Sequence, residues 1–129
     1  MAALRDIMTR DVFSVSRDTP VAEAARAMVK GRFGSAIVKQ GAMTLGIFTE
    51  RDVLRAAGSG DDLTASPVSR WMTPDPTTAS PDADSEEAAQ TMLANGFRHL
   101  PVVEGTEVTG IVSLRDVLSA RIRKPGGSG

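Results

Sequence analysis

The sequence predicts an α+β protein built from two copies of one β-α-β-β-α unit. A stretch Gly46-Ile47-Phe48-Thr49-Glu50-Arg51-Asp52-Val53-Leu54 returns as Gly110-Ile111-Val112-Ser113-Leu114-Arg115-Asp116-Val117-Leu118, 64 residues later (110 − 46). The same offset, without a gap, aligns Met8-Thr9 with Met72-Thr73, Glu23-Ala24-Ala25 with Glu87-Ala88-Ala89, Phe33 with Phe97 and Gly41 with Gly105. The duplication therefore covers nearly the whole chain and governs every other reading of it. Within each copy, apolar spacing alternates between the period of a strand and that of a helix in the same order.

The first copy opens with a short helix over 3–8, then a short β-branched strand over 12–15. Thr19-Pro20 reads as an N-cap followed by proline at the first helical position. Val21, Ala24, Ala25 and Met28 then recur at helical spacing, and Gly31 is placed to end that helix. Strands follow over 36–39 and 44–48, joined by a turn at Gln40-Gly41. Thr49 starts a helix that Gly58 stops. Residues 59–66 form a linker rich in turn formers. The second copy repeats the order. A short helix over 67–72 precedes a strand over 77–80, a helix over 84–95, a hairpin of 100–103 with 108–112, and a last helix over 113–123. The expected domains are thus 1–58 and 67–123, with a flexible tail over 124–129.

Bulk properties narrow the function. At 129 residues, each half alone buries too little surface to be stable, so the halves are expected to share a core. A net charge of −1 provides no field for nucleic acid or an acidic membrane. The absence of cysteine excludes disulfides, thiolate zinc sites and thiol nucleophiles. No signal peptide or membrane span is apparent, which favours the cytoplasm.

The repeated stretch reduces to G-I-x-[ST]-x-R-D-V-L, with the hydroxyl residue where a strand passes into a helix. Thr49-x-x-Asp52 and Ser113-x-x-Asp116 read as capping boxes with Asp in place of Glu. A helix start also presents unpaired N–H groups and a positive dipole end to an anion. The two readings are compatible, and the second copy in the same register raises the weight of the binding one.

These doubled β-α-β-β-α units, each ending G-x-x-[ST]-x-x-D, resemble a tandem cystathionine-β-synthase (CBS) domain pair, or Bateman module. The resemblance runs from about residue 4 to 122. It includes Ile7-Met8-Thr9, Trp71-Met72-Thr73 and His99-Leu100-Pro101-Val102-Val103. It implies two repeats packed with pseudo-two-fold symmetry, and regulatory binding rather than catalysis. The implied ligands are AMP, ADP or ATP in clefts between the repeats. S-adenosylmethionine and NAD-type molecules are further possibilities, and Mg²⁺ enters only with a di- or triphosphate. The motif Asp is implied to hold ribose hydroxyls, and the Ser/Thr with the helix start to face ribose and phosphate.

On that pattern, one cleft would set Ser113 and Asp116 against Thr9, Val12, Phe13, Phe33, Gly34 and Ser35. The other would set Thr49 and Asp52 against Thr73, Pro76, Thr77, Phe97, Arg98 and His99. Arg51 and Arg115 are open to two readings, phosphate contact or solvated helix surface. Gly34-Ser35 in one repeat matches Arg98-His99 in the other, so the clefts should differ in affinity, one preferring the more highly charged nucleotide. Trp71, the sole tryptophan, reads as cover for the core or a dimer surface. The resemblance further implies a homodimer formed through helices, for which Ala22, Ala25, Ala57, Ala89 and Leu118 are suitable, and an output protein that receives the signal. Rival readings are a ligand-free dimerisation module, which the two intact Asp motifs disfavour, and an enzyme, for which one His and no Cys supply little chemistry. Nucleic-acid binding is disfavoured by charge.

Overall fold

The computed structural model describes residues 2–123; the predicted tail over 124–129 lies outside the described residues. The chain divides into two compact units whose borders are not those of the repeats. One is contiguous, Val12–Pro76. Among the described residues, the other joins the segment 2–11 to 77–123.

In the contiguous unit the elements are β1 (Ser14–Ser16), α1 (Val21–Gly31), β2 (Ser35–Gln40), β3 (Met43–Thr49), α2 (Glu50–Ser59) and β4 (Thr73–Pro74). They form one four-stranded sheet in the order β1-β2-β3-β4. β1 pairs parallel to β2, as the helical crossover through α1 requires. β2 and β3 form the predicted hairpin, turning at Gly41 with φ of 60°. The helices lay Val21, Ala24, Met28 and Ala56 on a core that includes Val38 and Phe48. Val68 completes that core, with Trp71 and Met72 packed against it.

The second unit contains α3 (Ser85–Asn95), β5 (His99–Glu104), β6 (Glu107–Ser113) and α4 (Leu114–Arg123). β5 and β6 repeat the hairpin, with Gly105 at φ of 64°. A parallel bridge from Ala79 to Val102 stands where β1 stands in the first unit, and an antiparallel bridge from Thr9 to Ile111 stands where β4 does. The core combines Ala88, Ala89, Met92, Leu100, Val102, Val112 and Val117 with Leu4 and Met8 from the far end of the sequence.

The repeats thus exchange leading segments, and each unit has its own core. Residues 67–76 open the second repeat but finish the first repeat's sheet and core. Residues 2–11 open the first repeat but finish the second's. The motif glycine permits the exchange. A Cβ on Gly46 would stand 2.5 Å from the Thr73 carbonyl oxygen and 2.9 Å from the Met72 sulfur. A Cβ on Gly110 would run into the Met8 side chain.

Several expected boundaries move, each for a local reason. The strand expected over 77–80 is reduced to the single Ala79 bridge. The edge strand β4 was not expected, because Thr73-Pro74 has no alternation and proline cannot donate to a ladder; at an edge that lack costs nothing. The N-cap of α1 is Pro20 rather than Thr19, whose hydroxyl bonds Ser16 at 3.0 Å and whose carbonyl accepts the Val68 N–H at 2.9 Å. Gly31 and Gly58 lie inside their helices, and the left-handed caps fall on Arg32 and Gly60. The opening helices of both repeats are single 3₁₀ turns, Leu4–Asp6 and Val68–Arg70.

Candidate functional site

β3 delivers Thr49 in extended conformation to the start of α2, and there the capping box closes. The Thr49 hydroxyl accepts the Asp52 N–H at 3.4 Å, and Asp52 Oδ2 accepts the Thr49 N–H at 2.9 Å. The Thr49 hydroxyl also donates to Oδ2 at 3.2 Å. Asp52 is buried, its side chain only 7% exposed. Its other oxygen, Oδ1, accepts Arg55 Nη1 at 2.9 Å. Arg55 lies over the Trp71 ring, 5.5 Å from the centroid, where a cation meets the ring's negative face. Trp71 donates its indole N–H to the buried Ser66 hydroxyl at 3.0 Å. A chain of polar contacts therefore runs from the motif to the exchanged segment.

The second motif closes the same box. Ser113 donates its N–H to Asp116 Oδ2 at 2.8 Å, and its hydroxyl accepts the Asp116 N–H at 3.0 Å. The basic residue three places on is missing, because Ser119 occupies the position that matches Arg55. Asp116 is half-buried, and its Oδ1 has no partner among the described residues. Capping is thus realised in both copies. It uses one carboxylate oxygen and orders the helix start, while an ionised carboxylate retains acceptor capacity beyond that bond.

Ser35 sits opposite Thr49 across the β2–β3 ladder, and the Glu50 N–H donates to the Gly34 carbonyl at 3.1 Å. His99 sits opposite Ser113 in the same way, and the Leu114 N–H donates to the Arg98 carbonyl at 3.0 Å. Thr73 pairs with Ile47 and Thr9 with Ile111, each beside the strand that leads into a motif. Thr9 therefore belongs to the unit of Ser113 and Asp116, and Thr73 and Pro76 to that of Thr49 and Asp52. The remaining members of each expected set lie in the opposite unit: Val12, Phe13, Phe33, Gly34 and Ser35 in the first, Thr77, Phe97, Arg98 and His99 in the second.

Phe13 and Phe33 stack with centroids 5.0 Å apart and planes 6° from parallel, both half-buried. The matching pair in the second copy is Thr77 and Phe97, so this platform exists once. Arg51, Arg98 and Arg115 are exposed, and His99 is half-buried.

Two functional features were missed by the sequence reading. Arg55 was passed over although Asp52 and Arg55 have the (i, i+3) spacing of a helical ion pair. Subtracting the two copies would have found it, since Arg55 faces Ser119 at the repeat offset. The close approach at Gly46 and Gly110 had no sequence signal beyond the glycine itself.

The family model for the CBS domain matches the chain twice, over residues 4–59 and 68–123. A 17.7 kDa uncharacterized protein of Acidianus ambivalens is 39% identical over 116 residues, covering 88% of this chain and 70% of the relative. The crystal structure of the CBS-domain containing protein ATU1752 from Agrobacterium tumefaciens is 32% identical, with a TM-score of 0.86 over 93% of this chain and 99% of that one. The same fold, at 23% identity and a TM-score of 0.78, occurs in CBSX2, whose structure is a complex with AMP; the match covers 95% of this chain and 98% of that one.

Proposed function

The chain belongs to the CBS-domain family as a tandem pair, and from that premise we propose that it is a non-catalytic regulatory module binding adenosine-containing ligands, with AMP, ADP or ATP foremost. The observation that carries this is the state of the second motif. Asp116 is held in place through Oδ2 and keeps Oδ1 open among the described residues, at a helix start whose dipole favours phosphate. A carboxylate so placed fits the paired hydroxyls of a ribose. The half-buried Phe13–Phe33 stack fits the apolar surroundings of a base, and the exposed Arg51, Arg98 and Arg115 fit phosphate charge. The AMP complex of CBSX2 motivates the choice of adenosine ligands. On this reading Asp116 and Ser113 work with Thr9, Val12, Phe13, Phe33, Gly34 and Ser35, and Asp52 and Thr49 with Thr73, Pro76, Thr77, Phe97, Arg98 and His99. S-adenosylmethionine and NAD-type ligands are tested alongside, and Mg²⁺ accompanies only a di- or triphosphate.

Ligand acts by favouring one arrangement of the pair over another, and only differential affinity for the two can do so. The output passes to a separate protein from a cytoplasmic homodimer. Val29 and Leu93 are 80% and 67% exposed, and Leu54 and Leu118 are 73% and 46% exposed. These are two repeat-matched pairs of apolar helix positions suited to a partner surface. They equally favour the second reading, a ligand-free dimerisation module. Ala89 takes no part in either, being buried in the core. Among the described residues, no helix is long and apolar enough to cross a membrane.

The test is thermal unfolding with AMP, ADP, ATP, S-adenosylmethionine and NADH. A ligand at a hundred times its dissociation constant stabilises the folded state by about 2.7 kcal/mol. Asp116→Asn, which keeps a capping oxygen but removes the charge, should weaken binding about ten- to a hundredfold. No shift with any of the five ligands would leave the ligand-free dimer as the surviving reading.

A further inference from the structure

The two motifs carry the same residues but offer their carboxylates differently. Asp52 uses both oxygens: Oδ2 takes the Thr49 N–H and hydroxyl, and Oδ1 takes Arg55 at 2.9 Å. Asp116 uses only Oδ2 among the described residues, and no base stands at Ser119. Arg55 is itself anchored, over the face of Trp71 and within reach of the Trp71 carbonyl at 3.5 Å. Trp71 is fixed in turn by Ser66 and by packing on the core. The clamp is thus part of the packed unit, although the Arg55 side chain is 56% exposed, so solvent can take its place on Asp52.

We propose that Arg55 is a specificity-determining residue that makes the Thr49–Asp52 motif the weaker of two nucleoside sites, gated by its own ion pair. A ribose arriving at Asp52 must displace Arg55 from Oδ1; a ribose arriving at Asp116 displaces nothing. The inference rests on the adenosine reading above and adds to it an order of filling, Asp116 first. It also assigns a reporter. Trp71 is the sole tryptophan, and lifting Arg55 from its face alters its emission.

The experiment is calorimetry and Trp71 fluorescence with AMP as the probe. The proteins are the wild type, Arg55→Ser, which copies the second repeat, and Ser119→Arg, which copies the first. In the wild type we expect two constants at least about tenfold apart, the scale of one charge-assisted hydrogen bond forgone. Only the weaker event should change Trp71 emission, and Asp52→Asn should remove that event alone. Arg55→Ser should tighten the weaker site and bring the constants together, whereas Ser119→Arg should weaken the tighter one. Thermal melts verify that each variant is folded, as the exposure of Arg55 leads us to expect. Two wild-type constants that are equal, or a weaker site unmoved or further weakened by Arg55→Ser, would overturn the gate while leaving adenosine binding intact. Absence of AMP binding in all the proteins would overturn it together with the adenosine reading.

Discussion

Gly46→Ala puts one methyl group where the exchanged segment crosses the motif. The new Cβ would lie 2.5 Å from the Thr73 carbonyl oxygen, whereas ordinary contact begins at 3.4 Å, so about 0.9 Å must be found. The obstacle is backbone, which cannot rotate away. β4 must therefore shift, together with its pairing at Gly46–Pro74 and Ile47–Thr73. Overpacking costs about 1–3 kcal/mol, and each weakened backbone bond about 0.5–1.5 kcal/mol more. The expected loss is roughly 2–4 kcal/mol, or a melting point lower by about 8–16 °C at ~4 °C per kcal/mol. Gly110→Ala meets the flexible Met8 side chain first and should cost about half as much. Gly58→Ala, with nothing within 4 Å and a helical backbone, should stabilise by about 0.5–1 kcal/mol. Urea unfolding followed by circular dichroism compares the three, and Trp71 emission reports on the unit that contains Gly46. A Gly46→Ala protein as stable as the wild type, or one less affected than Gly110→Ala, would refute the steric account of the motif glycine.

Other outcomes follow from comparing the copies. Arg32 caps α1 with φ of 60°, where its counterpart Gly96 has φ of 75°; Arg32→Gly should gain about 1 kcal/mol in a thermal melt by removing the Cβ penalty. The Thr109 hydroxyl is buried without a hydrogen-bond partner among the described residues, and the matching residue is Leu45. Thr109→Val should raise the urea midpoint by an amount equivalent to about 1 kcal/mol. In the linker, Asp62 Oδ1 accepts the Thr64 hydroxyl at 2.7 Å and its N–H at 3.0 Å, which holds the Asp62 carboxyl below the usual carboxylate range. Because the folded-state pKa is depressed, its stabilisation is complete above the ordinary aspartate pKa and is lost as pH falls through the lowered one. The advantage of wild type over Asp62→Asn in urea midpoints should therefore shrink on acidification.

Much of this was readable before the structure. The hairpins at Gly41 and Gly105, both capping boxes and the amphipathic α1 follow from local patterns, and local patterns are what a sequence displays. The CBS assignment came from the doubled order of motifs. What stayed hidden was non-local. Thr73-Pro74 becomes a strand only because Gly46 leaves room beside β3. Leu4 and Met8 become core only because Ala88 and Val112, 80 or more residues further along the chain (88 − 8), join them in one cluster. Arg55 was invisible as a clamp because its meaning depends on Trp71, which enters from the other repeat's leading segment. The partition of the molecule was obscured for the same reason: duplication marks where the repeats begin, and packing decides where each is completed.

The exchange of leading segments also orders the birth of the molecule on the ribosome. The unit Val12–Pro76 is contiguous, so it can close as soon as Trp71, Met72 and Thr73 emerge. Residues 2–11 are made before the contiguous unit and are finished after it. Its Ala2 N–H finds the Ser85 hydroxyl 83 residues later, and its Thr9 waits for Ile111. Synthesis at about 5–20 residues per second leaves that segment without its strand partner for several seconds at least. During that interval Leu4 and Met8, core residues of the finished protein, are exposed to solvent and to any chaperone in reach.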